Sequence, residues 1–273
     1  MFTLRHHERS LVVDKPLVMG ILNVTPDSFY TVSRVTTDDI LGKAAQMIKD
    51  GAVILDIGGQ STRPGSLAIS PEEEASRILE PIRLIHDQYP QIFISVDTYY
   101  ASVARQAVEA GAFMVNDISA GSLDSDMLPT VASLQVPYVI MHMRGNPATM
   151  QQLTDYTDLV AKVRDFLLQK IDVCKSVGIK DLIVDPGFGF AKTVEQNFEL
   201  MRNLEHFTNL NAPLLLGISR KSFIYKTLHT TAEGALNGST FLHAVGLQKG
   251  ASILRVHDVK EAAEAVKLFT ALH

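Results

Sequence analysis

The feature that most constrains the fold is a series of eight short apolar runs, separated by longer amphipathic stretches. Each run is apolar at nearly every position, which is typical of parallel strands buried on both faces. Parallel neighbours need crossover connections, usually helices, and the stretches between the runs are long enough to form them. The runs cover residues 17–22, 53–57, 92–96, 113–118, 137–141, 182–184, 214–218 and 252–256.

Helix signals lie between these runs. Ser70 and Pro71, followed by glutamates, combine a helix cap, a proline at the first helical position and a capping-box acid. A last helix is predicted over residues 259–272. We therefore predict a single (β/α)8 TIM barrel, of class α/β, over residues 17–273. Residues 1–16 are expected to form a small hairpin or plug under the barrel.

Glycines mark four junctions between a helix and the next strand. Gly51, Gly111 and Gly250 each precede an apolar run by one or two residues, and Gly178 lies in a similar position. Glycine there suits a left-handed helix C-cap. A doubly wound open sheet is the alternative architecture, but residues 22–26 lack the glycine-rich fingerprint expected after its first strand.

Composition limits the class of protein further. The 273 residues are 46% hydrophobic and 20% charged, which is too apolar for a disordered chain. The net charge of −5 and the lack of a basic block argue against a general nucleic-acid binder. The single cysteine, Cys174, excludes an internal disulfide and fits a reducing compartment. With neither a signal peptide nor a membrane-length apolar run, a soluble cytoplasmic protein is expected.

Polar residues follow all eight runs. In a barrel of this kind the chemistry takes place at the carboxyl ends of the strands. Several of these groups are acids or amides within the strand ends themselves, and a carboxylate buried without a partner costs several kcal/mol. The arrangement therefore predicts a site, and its members at successive strand ends are Asn23, Asp56, Asp97, Asn116, His142, Asp185, Lys221, Arg255 and His257.

Five short sequence segments, which contain most of these residues, together resemble the motifs of the dihydropteroate synthase family. They follow in the order and spacing of that family, and the resemblance extends from about residue 17 to the C-terminus. Any one string could arise by chance, whereas five in register are highly specific. The strings cover residues 19–29, 56–65, 185–190, 219–222 and 255–258.

The resemblance implies a folate-pathway transferase with a TIM-barrel fold. Such an enzyme joins (7,8-dihydropterin-6-yl)methyl diphosphate to 4-aminobenzoate and releases diphosphate. It also implies Mg²⁺ as a cofactor, a homodimer and inhibition by sulfonamides. No nucleic acid or membrane partner is expected.

Family positions in contact with the pterin map onto side chains inside the strand ends. Asp97, Asn116 and Asp185 would bind the N–H groups of the ring edge, since a carboxylate accepts two such bonds at charge-assisted strength. Asp56 would support them. Met141 and Phe190 would sandwich the ring.

A second group of residues would act on the diphosphate and at the reacting bond. Arg255 and His257 match family positions that hold the leaving group, and the last strand is where many barrels bind phosphate. Asn23 matches the position that ligates Mg²⁺ through its amide oxygen. Lys221 would stabilise developing charge near the pterin. These cations, with Arg63 and Arg220, are expected around one mouth of the barrel.

The first two strand-to-helix loops and the start of one helix are expected to form the aminobenzoate pocket. By resemblance, Phe29, Thr62, Arg63 and Pro64 belong to these loops, with Thr62 and Pro64 lining the pocket. The backbone N–H of Ser222, at a helix start, suits the carboxylate of 4-aminobenzoate.

Two departures from the family pattern and three alternatives stay open at this point. After Phe29 the loop lacks the glycines common in the family, and Gln60 replaces a common glutamate. A pterin-dependent methyltransferase would share the barrel but lack the diphosphate motifs. A non-catalytic pterin-binding barrel would have damaged diphosphate motifs, whereas the diphosphate motifs of this sequence are intact. An aldolase-type barrel would use Lys221 as a Schiff-base lysine, which normally lies within an apolar strand and not beside a residue such as Arg220.

Overall fold

The computed structural model describes residues 1–24, 37–62 and 65–273. An antiparallel hairpin of β1 (Phe2–His6) and β2 (Arg9–Val13) comes first. The parallel strands that follow are β3 (Leu17–Asn23), β4 (Ile54–Gly58), β5 (Phe93–Asp97), β6 (Met114–Asp117), β7 (Tyr138–Met141), β8 (Leu182–Asp185), β9 (Leu215–Leu216) and β10 (Ile253–Val256).

These parallel strands form one sheet in the order β8-β7-β6-β5-β4-β3-β10-β9. A bridge between Val184 and Leu214 joins the two outer strands and closes the sheet into a barrel. The predicted TIM barrel is therefore confirmed. β9 is shorter than the predicted run because the chain turns directly after it, where the backbone N–H of Lys221 donates to the carbonyl of Ile218.

Helices follow the barrel strands and cover their outer face. They are α1 (Thr37–Lys49), α2 (Pro71–Gln88), α3 (Ala101–Glu109), α4 (Met127–Leu134), α5 (Leu159–Ser176), α6 (Val194–Arg202), α7 (Ser222–Thr227), α8 (Leu236–Gln248) and α9 (Val259–Leu272). The Ser70 hydroxyl accepts from the backbone N–H of Glu73 at 3.2 Å and caps α2, whose buried face includes Ile78 and Ile82.

The four junction glycines have the backbone conformation that the sequence predicts. Gly51 and Gly111 have φ of 109° and 116°, and Gly178 and Gly250 also have positive φ. Side chains rarely adopt this conformation, so glycine lets each helix turn at once into the next strand.

The hairpin lies against the amino ends of the barrel strands. Leu4 and Leu11 share an apolar cluster with residues near the strand starts, including Phe113 and Ile183. The backbone N–H of Arg5 donates to Asp181, at the entry to β8, at 2.7 Å. This end of the barrel is therefore closed, and the polar groups collect at the other end.

Within the described ranges, none of the helices combines the length and the apolar character that crossing a membrane requires.

Candidate active site

The polar residues at the carboxyl ends of neighbouring strands are brought side by side by the sheet register. Asp97 of β5 is paired with Gly58 of β4 and with Asn116 of β6. Met141 of β7 is paired with Asp185 of β8. Adjacent parallel strands lie about 4.8 Å apart, so side chains that share a face can touch.

A hydrogen-bonded group of four residues lies inside the barrel. The side-chain amide of Asn116 donates to Asp56 Oδ2 at 3.0 Å, and Arg255 Nε donates to the same oxygen at 2.6 Å. Arg255 Nη2 donates to Asp97 Oδ2 at 2.5 Å. One guanidinium thus joins two buried carboxylates, of which Asp56 is 0% exposed.

Burial raises the pKa values of two acids at the strand ends, Asp97 and Asp185. It raises the pKa of Asp97 to about 7, with a further increase from the Asp56 carboxylate, although the Arg255 guanidinium acts in the opposite direction. It also raises the pKa of Asp185, against the lowering effects of Lys221 and of the Gly187 N–H. These acids therefore hold protons at higher pH than exposed carboxylates do.

The loop after β8 presents Asp185 and Phe190. Asp185 Oδ1 accepts from the backbone N–H of Gly187 at 2.7 Å, which fixes the carboxylate at the base of the loop. Gly187 has φ of 74°, and a Cβ there would lie 2.0 Å from the carbonyl oxygen of His142. Only glycine therefore permits this close approach of the β8 loop to β7.

Phe190 and Met141 belong to one small apolar cluster at this end of the barrel. Both side chains are buried, and Ile118, Met143 and Met150 share the cluster. An apolar surface beside hydrogen-bonding carboxylates suits a flat, polar-edged heterocycle.

Lys221 immediately precedes α7 and extends toward the β8 loop. Its ammonium donates to the carbonyl of Phe188 and lies 4.6 Å from the centroid of the Phe190 ring. Burial lowers its pKa to about 8. Ser222 is the first residue of α7.

Arg220, after the carboxyl end of β9, is paired with an acid that follows β10. Its Nε and Nη2 donate to the Asp258 carboxylate at 2.8 and 2.6 Å, and Nη1 donates to two backbone carbonyls. This bidentate pair ties the end of β9 to the end of β10. The side chain therefore braces the loops.

His257 lies just after β10 and beside Ser219. Its backbone nitrogen and its Nδ1 lie 3.1 and 3.2 Å from the Ser219 hydroxyl. Asn23 is half-buried at the end of β3, paired with Gly58. The described residues contain no group of three or more His, Cys, Asp or Glu side chains that could hold a metal.

The remaining predicted residues lie in the long loops. Thr62 is half-buried in the loop after β4, and Gly65 of that loop donates its N–H to the carbonyl of Pro147 at 3.2 Å. Phe29, Arg63 and Pro64 lie outside the described residues.

Two polar groups beside the site were not predicted as functional. Lys192 lies fully buried against His142 and the β8 loop. Lys192 lies two residues after Phe190, in a segment of glycines and apolar residues, and this unusual position could have indicated a buried lysine from the sequence.

The other group supports the loop after β4. The Tyr99 hydroxyl donates to Gln60 Oε1 at 2.9 Å, and the Thr98 hydroxyl donates to Glu74 Oε2 at 2.8 Å. Glu74 is 0% exposed, and burial raises its pKa to about 7. The site therefore contains more protonatable buried acids than its motifs indicate.

Comparison with known proteins agrees with this geometry. A closed barrel with acids and an amide at its strand ends is the arrangement of a pterin-binding enzyme, and the family model of that description matches residues 19–257. A dihydropteroate synthase from Synechocystis sp. is 44% identical over 261 residues, which are 93% of this chain and 89% of the relative. The chain belongs to the dihydropteroate synthase family, whose members are transferases of folate biosynthesis.

Solved structures extend the similarity to the whole fold. A Yersinia pestis dihydropteroate synthase in complex with a sulfonamide drug is 36% identical, with a TM-score of 0.94 over 99% of both chains. The Xanthomonas albilineans enzyme with 4-aminobenzoic acid is 39% identical, with a TM-score of 0.93 over 99% of this chain and 97% of that one.

Proposed function

We propose that this protein condenses (7,8-dihydropterin-6-yl)methyl diphosphate with 4-aminobenzoate, giving 7,8-dihydropteroate and diphosphate. The observation that carries the proposal is the buried group of Asp56, Asp97, Asn116 and Arg255, which lies beside Asp185 at one end of the barrel. The solved relatives with a sulfonamide and with 4-aminobenzoic acid support the choice of the second substrate.

The pterin ring would bind deepest. The Asp185 carboxylate would accept from the 2-amino and N3 edge, Asn116 would bind adjacent nitrogens, and Asp97 another ring N–H. Asp56 would hold Asn116 in position, because it accepts from the Asn116 amide. Charge-assisted bonds of this kind are about twice as strong as neutral ones.

The flat faces of the pterin would contact apolar side chains. Met141 and Phe190 share one cluster and would lie on either side of the ring. Lys221, over the Phe190 ring, would lie near the forming bond and would stabilise developing charge there.

Arg255 and His257 would hold the diphosphate. Arg255 donates to Asp56 and Asp97 through Nε and Nη2, and its remaining N–H groups, at Nη1 and Nη2, would donate to phosphate oxygens. His257, at the exposed end of β10, would donate a ring N–H to the leaving group.

Asn23 would be the protein ligand of Mg²⁺. A single amide oxygen fits this ion, because Mg²⁺ usually keeps several waters and takes the rest of its ligands from substrate phosphates. When bound, the ion neutralises charge on the departing diphosphate.

The aminobenzoate would enter above the pterin. The backbone N–H groups at Ser222 would bind its carboxylate, and Thr62 and Pro64 would line its pocket. Phe29 and Arg63 are proposed to cover the reacting carbon from the two long loops.

The substitution is proposed to be dissociative. The bond between the exocyclic methylene carbon and the diphosphate oxygen breaks first, and the electron pair leaves with diphosphate. The electron-rich dihydropterin, held by Asp97, Asn116 and Asp185, stabilises the resulting cation. The arylamine nitrogen then bonds to the methylene carbon and loses its proton to solvent.

The test is incubation with both substrates, with and without Mg²⁺, while diphosphate release is followed. Release that requires both substrates, together with formation of dihydropteroate, is the expected result. Absence of release that depends on 4-aminobenzoate would exclude this function.

Three further properties belong to the same proposal. The protein acts in the cytoplasm, is inhibited by sulfonamides that compete with 4-aminobenzoate, and forms a homodimer. The exposed Leu228 and Phe241, at the end of α7 and on α8, supply apolar surface for such an interface. Sedimentation of the purified chain measures the oligomeric state directly.

A further inference from the structure

Lys192 and His142 form a buried polar pair that has no part in the proposed reaction. Lys192 is 3% exposed and His142 is 2% exposed. The Lys192 nitrogen lies 3.0 Å from His142 Nδ1 and donates to the carbonyls of Gly187 at 2.8 Å and Phe190 at 2.9 Å. A lysine buried this completely, away from any carboxylate hydrogen bond in the described residues, requires an explanation.

The three contacts satisfy the lysine nitrogen completely. As an ammonium it donates all three N–H groups, with His142 Nδ1 as the third acceptor. As a neutral amine it donates twice and accepts from a protonated Nδ1. Burial lowers the pKa values of both Lys192 and His142. In either state no N–H group is left for a substrate, so Lys192 cannot act as a catalytic residue.

The contacts join the end of β7, which carries Met141, to the loop after β8, which carries Phe190. His142 directly follows Met141 at the end of β7. Gly187 and Phe190 belong to the loop after β8, and Asp185, the last residue of β8, accepts from the Gly187 N–H. Hydrogen bonds through this one nitrogen atom therefore connect the segments that carry Met141 and Phe190.

We propose that Lys192 is the positioning residue of the pterin site. It holds the β8 loop against β7, and so sets the gap between Met141 and Phe190 and the direction of the Asp185 carboxylate. This inference rests on the proposed function, because it takes the pterin as the ring that fills the gap.

The first test compares Lys192→Met with Lys170→Met. Methionine keeps the length of the side chain and removes its hydrogen bonds. Lys170 is the matched control, since its ammonium also holds a strand-to-helix loop, through the carbonyl of Ala120 at 2.7 Å and the Ser122 hydroxyl at 2.8 Å. Both variants lose buried or half-buried lysine contacts, but only Lys192 touches the β8 loop.

We expect Lys192→Met to raise the KM for the pterin diphosphate at least ~10-fold, with the KM for 4-aminobenzoate changed less than ~3-fold. Lys170→Met lowers the Tm and leaves both KM values within ~2-fold of the parent protein. Equal changes in both KM values for Lys192→Met, or an unchanged pterin KM, would overturn the proposal.

A second pair of variants covers the case in which Lys192→Met does not fold. His142→Asn keeps an acceptor near the position of Nδ1, whereas His142→Leu removes it. We expect weakened pterin binding in His142→Leu and recovery in His142→Asn. Equal binding by the two variants would contradict the proposal.

Binding is measured by calorimetry with 6-hydroxymethyl-7,8-dihydropterin, which lacks the leaving group. This probe separates the two proposals, because it reports positioning of the ring without turnover. A parent protein that binds the probe but forms no dihydropteroate would refute the proposed reaction and leave the role of Lys192 intact.

Discussion

Arg255 donates to Asp97 at 2.5 Å, and this bond joins residues that are 158 positions apart in the chain. The same guanidinium donates to Asp56. Under the proposed function, Arg255 would therefore neutralise Asp56 and Asp97 and would use its remaining N–H groups to bind the leaving group. In that proposal, binding of the pterin and departure of diphosphate would be linked through this one side chain.

Replacement of Arg255 by methionine is expected to destabilise the fold as well as abolish turnover. Asp56 and Asp97 would remain buried without a cation, and breaking a buried pair in this way costs about 3–5 kcal/mol. Urea denaturation at pH 8 measures the loss. Arg83→Met is the control, because Arg83 lies in an exposed pair, 3.8 Å from Glu80. Its replacement should lower the free energy of unfolding by only about 0–1 kcal/mol. Equal losses for the two variants would show that Arg255 does not stabilise the buried acids.

Asp185→Asn is expected to raise the KM for the pterin diphosphate about 10–100-fold, because an amide cannot accept two charge-assisted bonds from the ring edge. Steady-state kinetics with saturating 4-aminobenzoate measure the change. Asp181→Asn provides the control at the opposite end of the barrel, where Asp181 accepts from the Arg5 backbone. Near-normal turnover and pterin affinity in Asp185→Asn would refute its assignment.

The pH dependence of activity is expected to follow Lys221. Burial lowers the pKa of Lys221 from 10.5 to about 8, so the ammonium loses its proton as pH rises through about 8. The kcat/KM of the parent protein should therefore fall above that pH. Lys221→Arg keeps its charge and should extend the plateau to higher pH, at a kcat/KM lowered about 10-fold at pH 7.

The control for this profile is Lys226→Arg, one turn further on an exposed face of α7. It should reproduce the parent profile. An alkaline decline at the same pH in Lys221→Arg would assign the titration to another group.

Glu74 makes the stability of the fold depend on pH. Burial raises its pKa from 4.5 to about 7, so in this range the folded protein binds a proton that the unfolded chain has released. The free energy of unfolding therefore falls as pH rises from about 4.5 to about 7.

Glu74→Gln cannot ionise and still accepts from Thr98. Its stability relative to the parent protein should increase between pH 5 and pH 8, by at most about 3 kcal/mol. Chemical denaturation at several pH values measures this difference. Glu80→Gln, on the exposed face of the same helix, should show no such trend, and a flat difference for Glu74→Gln would contradict the account.

The fold was largely predictable, because strand and helix periods are local. The strands in the barrel and the last helix, Val259–Leu272, lie where apolar periodicity indicates. β9 is the exception: it has only two residues, since the tight turn at Lys221 is set by contacts that periodicity does not report.

The sequence predicted which polar residues lie at the strand ends, but not the hydrogen bonds between them. Asp97, Asn116 and Asp185 were expected at one end of the barrel, because the carboxyl ends of parallel strands meet at the same edge of the sheet. The contact of Lys192 with His142 joins residues 50 positions apart, and no local pattern specifies it. The pairing of Arg220 with Asp258 could not be predicted for the same reason.

The hairpin under the barrel has a consequence for kinetics. With the amino ends of the strands covered by Leu4 and Leu11, both substrates of the proposed reaction would enter from the other end of the barrel. In that proposal the pterin binds at Asp185, at the end of β8, and the arylamine binds at the loop that contains Thr62. An arylamine that bound first would then block the entry of the pterin, so excess 4-aminobenzoate would inhibit the reaction.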